Sequence, residues 1–149
     1  MSESTTTRLI KAPRSRIYNA LVDGLALSKW LHPAGTSSKL HECVPKVGGH
    51  LRMEITHGPK PEDTRLFDLI FAELRPEEAV VFRGSFVSDD PAMASEMQLI
   101  FTLKEEAGGT RITLRHEGIP ERISVEDNER GSESSLDNLA RLVERHNDA

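Results

Sequence analysis

The sequence predicts an α+β fold in which a curved antiparallel sheet wraps around one long C-terminal helix. Three runs indicate this arrangement: residues 12–21 have the form of a helix that starts directly after a strand, residues 47–53 that of a tight hairpin, and residues 109–116 that of a strand leaving a glycine turn. A sheet that curves around a helix usually leaves a cavity between the two layers. The sequence therefore predicts a protein with an internal cavity, but it does not indicate a reaction.

The beginning of the chain predicts one strand and two short helices. Residues 5–11 are rich in β-branched side chains, which is typical of a strand. Pro13 suits the first turn of a helix, where its missing N–H costs nothing, and apolar residues recur at helical spacing as far as Leu21. Gly24 is expected to end this helix, and residues 25–31 predict a second one.

Six strand candidates follow, so that the sheet would have seven strands. Their apolar and β-branched runs are separated by turn-forming sequences, of which residues 45–49 and the pair Gly108-Gly109 are the clearest. Because consecutive hairpins produce antiparallel neighbours, we expect an antiparallel sheet. The six predicted strands are residues 40–44, 51–56, 66–74, 80–87, 97–104 and 110–117.

A long amphipathic helix is predicted over residues 123–147. Leu136, Leu139, Ala140 and Val143 lie at the i, i+3, i+4 and i+7 spacing of one apolar face, which should seal the core. The earlier turns of this face are polar, and they would face water, a ligand or other polar side chains, unless the helix start simply projects into solvent. The whole face comprises Val125, Asn128, Ser132, Ser135, Leu136, Leu139 and Val143.

Composition and charge are those of a single globular domain. The 149 residues include 19 Lys and Arg and 24 Asp and Glu, which gives a net charge of −5. Because no basic stripe stands out, nucleic-acid binding is not expected, and no apolar run reaches the roughly 18–20 residues of a membrane helix. A single cysteine, Cys43, and the lack of an apolar signal segment predict a cytoplasmic protein.

The ordered motifs resemble the START-like (SRPBCC) superfamily over residues 6–143 and, within it, the domain family named for the activator of the heat-shock-protein-90 ATPase. The resemblance implies a helix-grip (START/Bet v-like) fold with the order β-α-α-β6-α and a ligand site between the sheet and the last helix. The matching features are Ala-Pro-Arg-x-x-Ile-Tyr-x-Ala-Leu from Ala12, a short helix ending in Trp30, a Val-Gly-Gly hairpin, Gly-Thr-Arg-Ile-Thr-Leu from Gly109, and Arg-His-Glu-Gly-Ile-Pro from Arg115.

The sequence departs from this family in the first half of the last helix. Members of the family commonly carry a Gly-Trp pair there, whereas Gly131 is followed here by Ser132. Without the large aromatic side chain, either the cavity is larger and wetter or another side chain fills the space.

Strand parity makes two titratable side chains candidates for the interior. His116 shares one face of its strand with Ile112 and Leu114, and Glu42 shares parity with Leu40. An inward histidine and an inward carboxylate could bind a polar ligand group or transfer a proton. The alternative is that each lies at a strand end and reaches solvent or a backbone partner, as residues near bulges often do.

Motifs for metal binding and for nucleophilic catalysis are missing. No histidines have the H-x-x-x-H spacing, and none pairs with Cys43 at a zinc-ligand spacing. The glycine pairs do not open helices, so they are not phosphate loops, and the sequence has no G-x-S-x-G. We therefore expect no metal, no cofactor and no assigned catalytic residue.

A small-molecule binding protein with a hydrophobic or amphipathic ligand is the favoured function. Two alternatives stay open: a cyclase or hydrolase-type enzyme that uses His116 and Glu42 as acid and base, and a co-chaperone-like ATPase activator. No nucleic-acid or membrane partner is expected, a homodimer is left open, and Trp30 is predicted to plug the core. The residues predicted to line the cavity are Met53, Phe67, Leu69, Phe101, Leu114, His116, Ser132 and Leu136.

Overall fold

Seven β-strands and three α-helices make up the computed structural model, which describes residues 2–144. Their order is the predicted one of strand, two helices, six strands and helix, with an additional 3₁₀ turn at Pro61–Asp63. The strands are β1 (Glu3–Ile10), β2 (Ser37–Cys43), β3 (His50–Thr56), β4 (Thr64–Arg75), β5 (Ala79–Val87), β6 (Met97–Glu106) and β7 (Gly109–Glu117); the helices are α1 (Arg14–Val22), α2 (Gly24–Trp30) and α3 (Val125–Glu144).

All seven strands form one antiparallel sheet in the order β1-β7-β6-β5-β4-β3-β2. The strands from β2 to β7 are joined in sequence by hairpins, and β1 then pairs with β7 along its whole length, from Glu3 opposite Glu117 to Ile10 opposite Thr110. The sheet curves around α3, so the predicted α+β architecture is confirmed. The concave face of the sheet and α3 are the two layers that enclose the interior.

The two short helices follow each other almost without a break. Only Asp23, whose backbone is extended, lies between them. Gly24 was expected to end α1, but α1 ends at Val22 and Gly24 is the first residue of α2. The need for glycine is steric: a Cβ atom at this position would lie 2.8 Å from Leu40 Cδ2 and 2.9 Å from Cys43 Cβ. Glycine therefore allows α2 to approach β2 closely.

Helix α3 begins at Val125, two residues later than predicted, and the predicted end at Asn147 lies outside the described residues. Ser124 caps the helix, since its side-chain oxygen accepts a hydrogen bond of 3.0 Å from the backbone N–H of Asp127. The predicted inward face is confirmed from Ser132 onward, where six residues of α3 are buried, whereas Val125 and Asn128 are only half-buried. The six buried residues are Ser132, Ser135, Leu136, Leu139, Ala140 and Val143.

The core beneath the two short helices is aromatic. The completely buried Trp30 ring meets Phe101 edge-on at 5.7 Å between centroids, and Phe101 meets Phe82 in the same way at 6.0 Å. The indole N–H of Trp30 donates a 2.9 Å hydrogen bond to the carbonyl oxygen of Ala20, so its polar group is satisfied. Trp30 therefore plugs the core, as predicted.

The prediction that Glu42 points inward is wrong. A bulge in β2 between Leu40 and Glu42 shifts the register, so Leu40 lies opposite Met53 and Glu42 lies opposite Arg52. The extra residue reverses the parity of the strand end and turns Glu42 to the outer face of the sheet. There its carboxylate accepts a 2.6 Å hydrogen bond from Arg52 Nη1.

The ion pair of Glu42 belongs to a small charged cluster on the outer face. Arg52 Nε also contacts Asp68 Oδ2 at 3.1 Å, and His50 Nδ1 lies 2.8 Å from Asp68 Oδ1. Burial raises the pKa of the Asp68 carboxyl, but the hydrogen bonds from His50 and Arg52 outweigh it and bring this pKa below its ordinary value. The cluster thus ties β2, β3 and β4 together away from the interior.

Candidate functional site

A cavity of about 440 Å³ lies between the concave face of the sheet and the first half of α3. Its sheet wall is mostly apolar, and its helix wall is mostly polar or small. The sheet wall includes Ile55, Phe67, Leu69, Phe86, Met97, Leu99, Leu114 and His116. The helix wall includes Asp127, Asn128, Gly131, Ser132 and Ser135, and the segment after α2 adds Leu31, His32, Pro33 and Thr36.

The cavity exists because α3 changes character along its length. Its later turns bury Leu136, Leu139 and Val143 in the core, whereas its earlier turns present Gly131 and Ser132 to the same side. A Cβ atom at Gly131 would meet nothing nearer than Pro33 Cγ at 3.6 Å, which is an ordinary contact. Small side chains on this stretch leave the space that a large aromatic residue would occupy.

The structure separates the predicted cavity residues into two groups. Five of them line the cavity: Phe67, Leu69, Leu114, His116 and Ser132.

The remaining three, Met53, Phe101 and Leu136, are at most 1% exposed and belong to the core. Their inward orientation is as predicted, but parity along a strand or helix indicates a face and not a distance from the cavity. For Phe101 the reason is visible, since its ring packs between Trp30 and Phe82. Whether any of the eight contacts a ligand stays a prediction.

His116 is held by a chain of hydrogen bonds that starts on β1. The Ser4 hydroxyl donates to Asn128 Oδ1 over 2.5 Å, and Asn128 Nδ2 donates to His116 Nδ1 over 2.9 Å. Because Nδ1 accepts a hydrogen bond, the proton of the neutral imidazole resides on Nε2, which lies 3.2 Å from the sulfur of Met97. His116 therefore presents a fixed N–H donor to a weak acceptor.

Burial keeps His116 uncharged at neutral pH. The residue is 8% exposed, and desolvation lowers the pKa of its imidazole from 6.5 to about 4. A proton on Nδ1 would also remove the acceptor that the Asn128 amide requires. His116 thus offers a neutral hydrogen-bond donor rather than a positive charge.

Ser132 and Ser135 add the hydroxyl groups of two buried residues to the same wall. The residues are 8% and 6% exposed, and both line the cavity. Because a hydroxyl can both donate and accept a hydrogen bond, these groups suit water or a polar ligand atom in the cavity.

Charged side chains surround the open side of the cavity. Arg122 Nε pairs with Asp90 Oδ2 at 2.8 Å, and Asp127 Oδ1 pairs with Arg130 Nη1 at 3.2 Å. Arg65 is the third charged residue on the wall, and within residues 2–144 no carboxylate oxygen lies within 4.0 Å of its guanidinium nitrogens. Among the charged residues that line the wall, Arg65 is therefore the one whose charge no ion pair balances within the described residues.

Sequence reasoning missed Arg65, although the signal for it was present. Arg65 shares parity with Phe67 and Leu69 on β4, which places all three on the concave face. Asn128 was placed on the inward face of α3 but not in the cavity, and its role depends on Ser4 and His116, which are distant in sequence.

Two kinds of site are not found in the described part of the chain. Residues 2–144 contain no group of three or more His, Cys, Asp and Glu side chains that could hold a metal ion. Within the same residues, none of the helices combines the length and apolar content of a membrane span.

Comparison with known proteins identifies one family. The sequence model of the family described as Activator of Hsp90 ATPase homolog 1-like protein matches residues 11–144. No functionally curated protein matches this chain.

Solved structures share the fold over almost the whole chain. A protein from Chromobacterium violaceum is 33% identical with a TM-score of 0.86, over 95% of this chain and 96% of that chain. The AHSA1 protein from Silicibacter pomeroyi is 19% identical with a TM-score of 0.79, over 97% and 99% of the two chains. A protein from Mesorhizobium loti is also 19% identical, with a TM-score of 0.76 over 97% and 98%.

Proposed function

Because the chain belongs to the family of Activator of Hsp90 ATPase homolog 1-like proteins, we propose that it binds a small hydrophobic or amphipathic molecule between the sheet and α3. The fold of this family commonly binds ligands. The observation that carries the proposal is the cavity of about 440 Å³, which combines an apolar wall with a few polar groups. This combination is typical of small-ligand sites, where apolar surface supplies affinity and polar groups set orientation.

The two walls have different tasks in this proposal. Each 100 Å² of apolar surface that ligand and sheet remove from water contributes about 2.5 kcal/mol. The immobilisation of the ligand offsets part of this gain. The Ser132 hydroxyl, and the His116 N–H whose acceptor is the weakly accepting Met97 sulfur, then favour a ligand with a hydrogen-bond acceptor over a purely hydrocarbon ligand.

A reaction that uses His116 and Glu42 as acid and base has no geometric support. His116 lines the cavity, while Glu42 is bound to Arg52 on the outer face of the sheet. The two groups are on opposite sides of the sheet and cannot act on one substrate.

Ser132→Trp provides a direct test of the binding proposal. The substitution places a large aromatic side chain where the family commonly has one, so we expect a folded protein with a filled cavity. Glu133→Trp is the matched control, because Glu133 is the adjacent, exposed residue of α3. The measurement is a thermal-shift screen of the three proteins against a metabolite panel, followed by titration with phenylnaphthylamine, a neutral fluorescent probe.

We expect compounds that raise the melting temperature of the original protein and of Glu133→Trp, but not that of Ser132→Trp. Phenylnaphthylamine should follow the same pattern. Equal binding by all three proteins would place the ligand elsewhere, and no binding by any of them would contradict the proposed function.

A further inference from the structure

We propose that the ligand of this cavity is an amphipathic anion whose negatively charged group binds Arg65 at the open side. The inference rests on the proposed function and narrows its ligand to one chemical class. It comes from the distribution of charge along the cavity, which has a neutral inner part and one unbalanced cation at its opening.

Arg65 is positioned by the sheet. It lies on β4 opposite Ile55 of β3, and β4 places its side chain on the same face as those of Phe67 and Leu69. These three residues line the cavity in succession, with Arg65 exposed and Phe67 and Leu69 buried. A ligand that lies along β4 would therefore contact apolar groups first and a guanidinium group at its end.

The two other charged residues of the cavity wall already have ionic partners. Arg122 is engaged by Asp90 and Asp127 by Arg130. The guanidinium group of Arg65 has no such carboxylate within residues 2–144. A planar guanidinium fork binds a carboxylate, sulfonate or phosphate through paired hydrogen bonds, so a ligand anion would supply the missing counter-charge.

The inner part of the cavity is unsuited to the charged group of the ligand. The polar groups there are the neutral imidazole of His116 and the hydroxyls of Ser132 and Ser135, which carry no positive charge. Moving an anion into this part would cost its hydration without a cation in return. These groups fit an uncharged acceptor, such as a carbonyl or hydroxyl oxygen, on the body of the ligand.

Two fluorescent probes distinguish the contribution of the ligand's negative charge to binding from that of its apolar body. Anilinonaphthalene sulfonate carries aromatic rings and a sulfonate, and phenylnaphthylamine carries the same rings without the sulfonate. Each would be titrated into the original protein, Arg65→Gln, the charge-matched control Arg83→Gln, and the filled variant Ser132→Trp. Arg83 lies outside the cavity wall and pairs with Glu96, so its substitution removes the same charge at another place.

Arg65→Gln should weaken the binding of the sulfonate about tenfold, which corresponds to about 1.4 kcal/mol, and leave the neutral probe unchanged. Arg83→Gln should change neither, and Ser132→Trp should weaken both. An equal effect of Arg65→Gln on both probes, or none on either, would overturn the anionic ligand while the binding cavity itself would stand. If neither probe bound the original protein, the proposed function and this inference would both be rejected.

A free acid and a membrane lipid share this chemistry, and a competition experiment distinguishes them. We expect monomeric decanoate to displace the sulfonate probe and decanol to displace it less well. Vesicles of phosphatidylglycerol should not displace it, because a diacyl lipid is larger than the cavity. Displacement by the vesicles and not by decanoate would overturn the assignment to a small free acid.

Discussion

Acidification below pH 6.5 should destabilise this protein through His116, and the effect is large enough to measure. The folded state holds the imidazole with a pKa of about 4, while the unfolded chain restores the ordinary value of 6.5. Between these two values the unfolded state binds one more proton than the folded state. The free energy of unfolding therefore falls as the pH is lowered through this range.

The magnitude follows from the size of the shift. Each pH unit inside the range costs up to about 1.4 kcal/mol, and the whole range amounts to about 3 kcal/mol. The stability is fully present above pH 6.5, and its loss is complete near pH 4, where the folded state also takes up the proton. Small domains have a free energy of unfolding of about 5–15 kcal/mol, so the loss at this one residue would be a substantial fraction of the total.

His116→Gln isolates this contribution. Glutamine has no charge to gain, and it keeps polar atoms near Asn128 and Met97, which contact the imidazole in the original protein. Urea unfolding followed by Trp30 fluorescence at pH 7, 6 and 5 gives the free energy of unfolding of both proteins. The two proteins differ only at this position, so the difference between the two pH profiles belongs to His116.

The original protein should lose about 1 kcal/mol more than His116→Gln between pH 6 and pH 5. Two-dimensional NMR of the imidazole nitrogens should show a neutral ring protonated on Nε2 throughout this range. Parallel pH profiles, or an imidazolium signal at pH 5.5, would refute the buried and hydrogen-bonded state of His116.

Three further substitutions test the fold around the site by urea unfolding. Asp68→Asn should lower the free energy of unfolding by about 1 kcal/mol at pH 7, because it weakens the contacts with His50 and Arg52; an unchanged value would mean that the outer cluster contributes nothing. Trp30→Phe should cost about 2–4 kcal/mol, since it leaves the Ala20 carbonyl oxygen without the indole donor and opens space beside the aromatic core, and a cost below 1 kcal/mol would argue against the core position. Gly109→Ala should destabilise by more than about 1 kcal/mol, because its Cβ would lie 2.1 Å from the carbonyl oxygen of Ile10. A stability equal to that of the original protein would contradict this close approach.

Sequence patterns predicted the order of the elements and the inward face of α3 because both depend on local spacing. Leu136, Leu139 and Val143 recur at the helical period, and any helix that packs on a sheet must bury such a stripe. The same spacing placed Ser132 and Ser135 on the inner side. Turn residues marked the hairpins, so the antiparallel order followed from the chain itself.

The site was predictable only in part because its composition depends on register and on long-range contacts. A single bulged residue before Glu42 reversed its face, and alternation along a strand does not reveal a bulge. Met53 and Phe101 have the right parity, but their distance from the cavity depends on how the helices pack over the sheet. The hydrogen bonds from Ser4 to His116 through Asn128 join three segments that no short motif connects.

The division of α3 explains how one helix both stabilises the fold and leaves room for a ligand. Its later turns pack in the core, and further contacts hold the helix to β1 and the residue after it: Arg8 of β1 pairs with Asp137, and the backbone N–H of Lys11 donates to Glu144 at 2.8 Å. These contacts hold the second half of the helix in place. The early turns are therefore free to carry Ser132 where apolar packing would add stability. Ser132→Trp should raise the free energy of unfolding and also abolish binding. Both effects have one cause, because the indole ring would pack in the volume that the ligand would occupy.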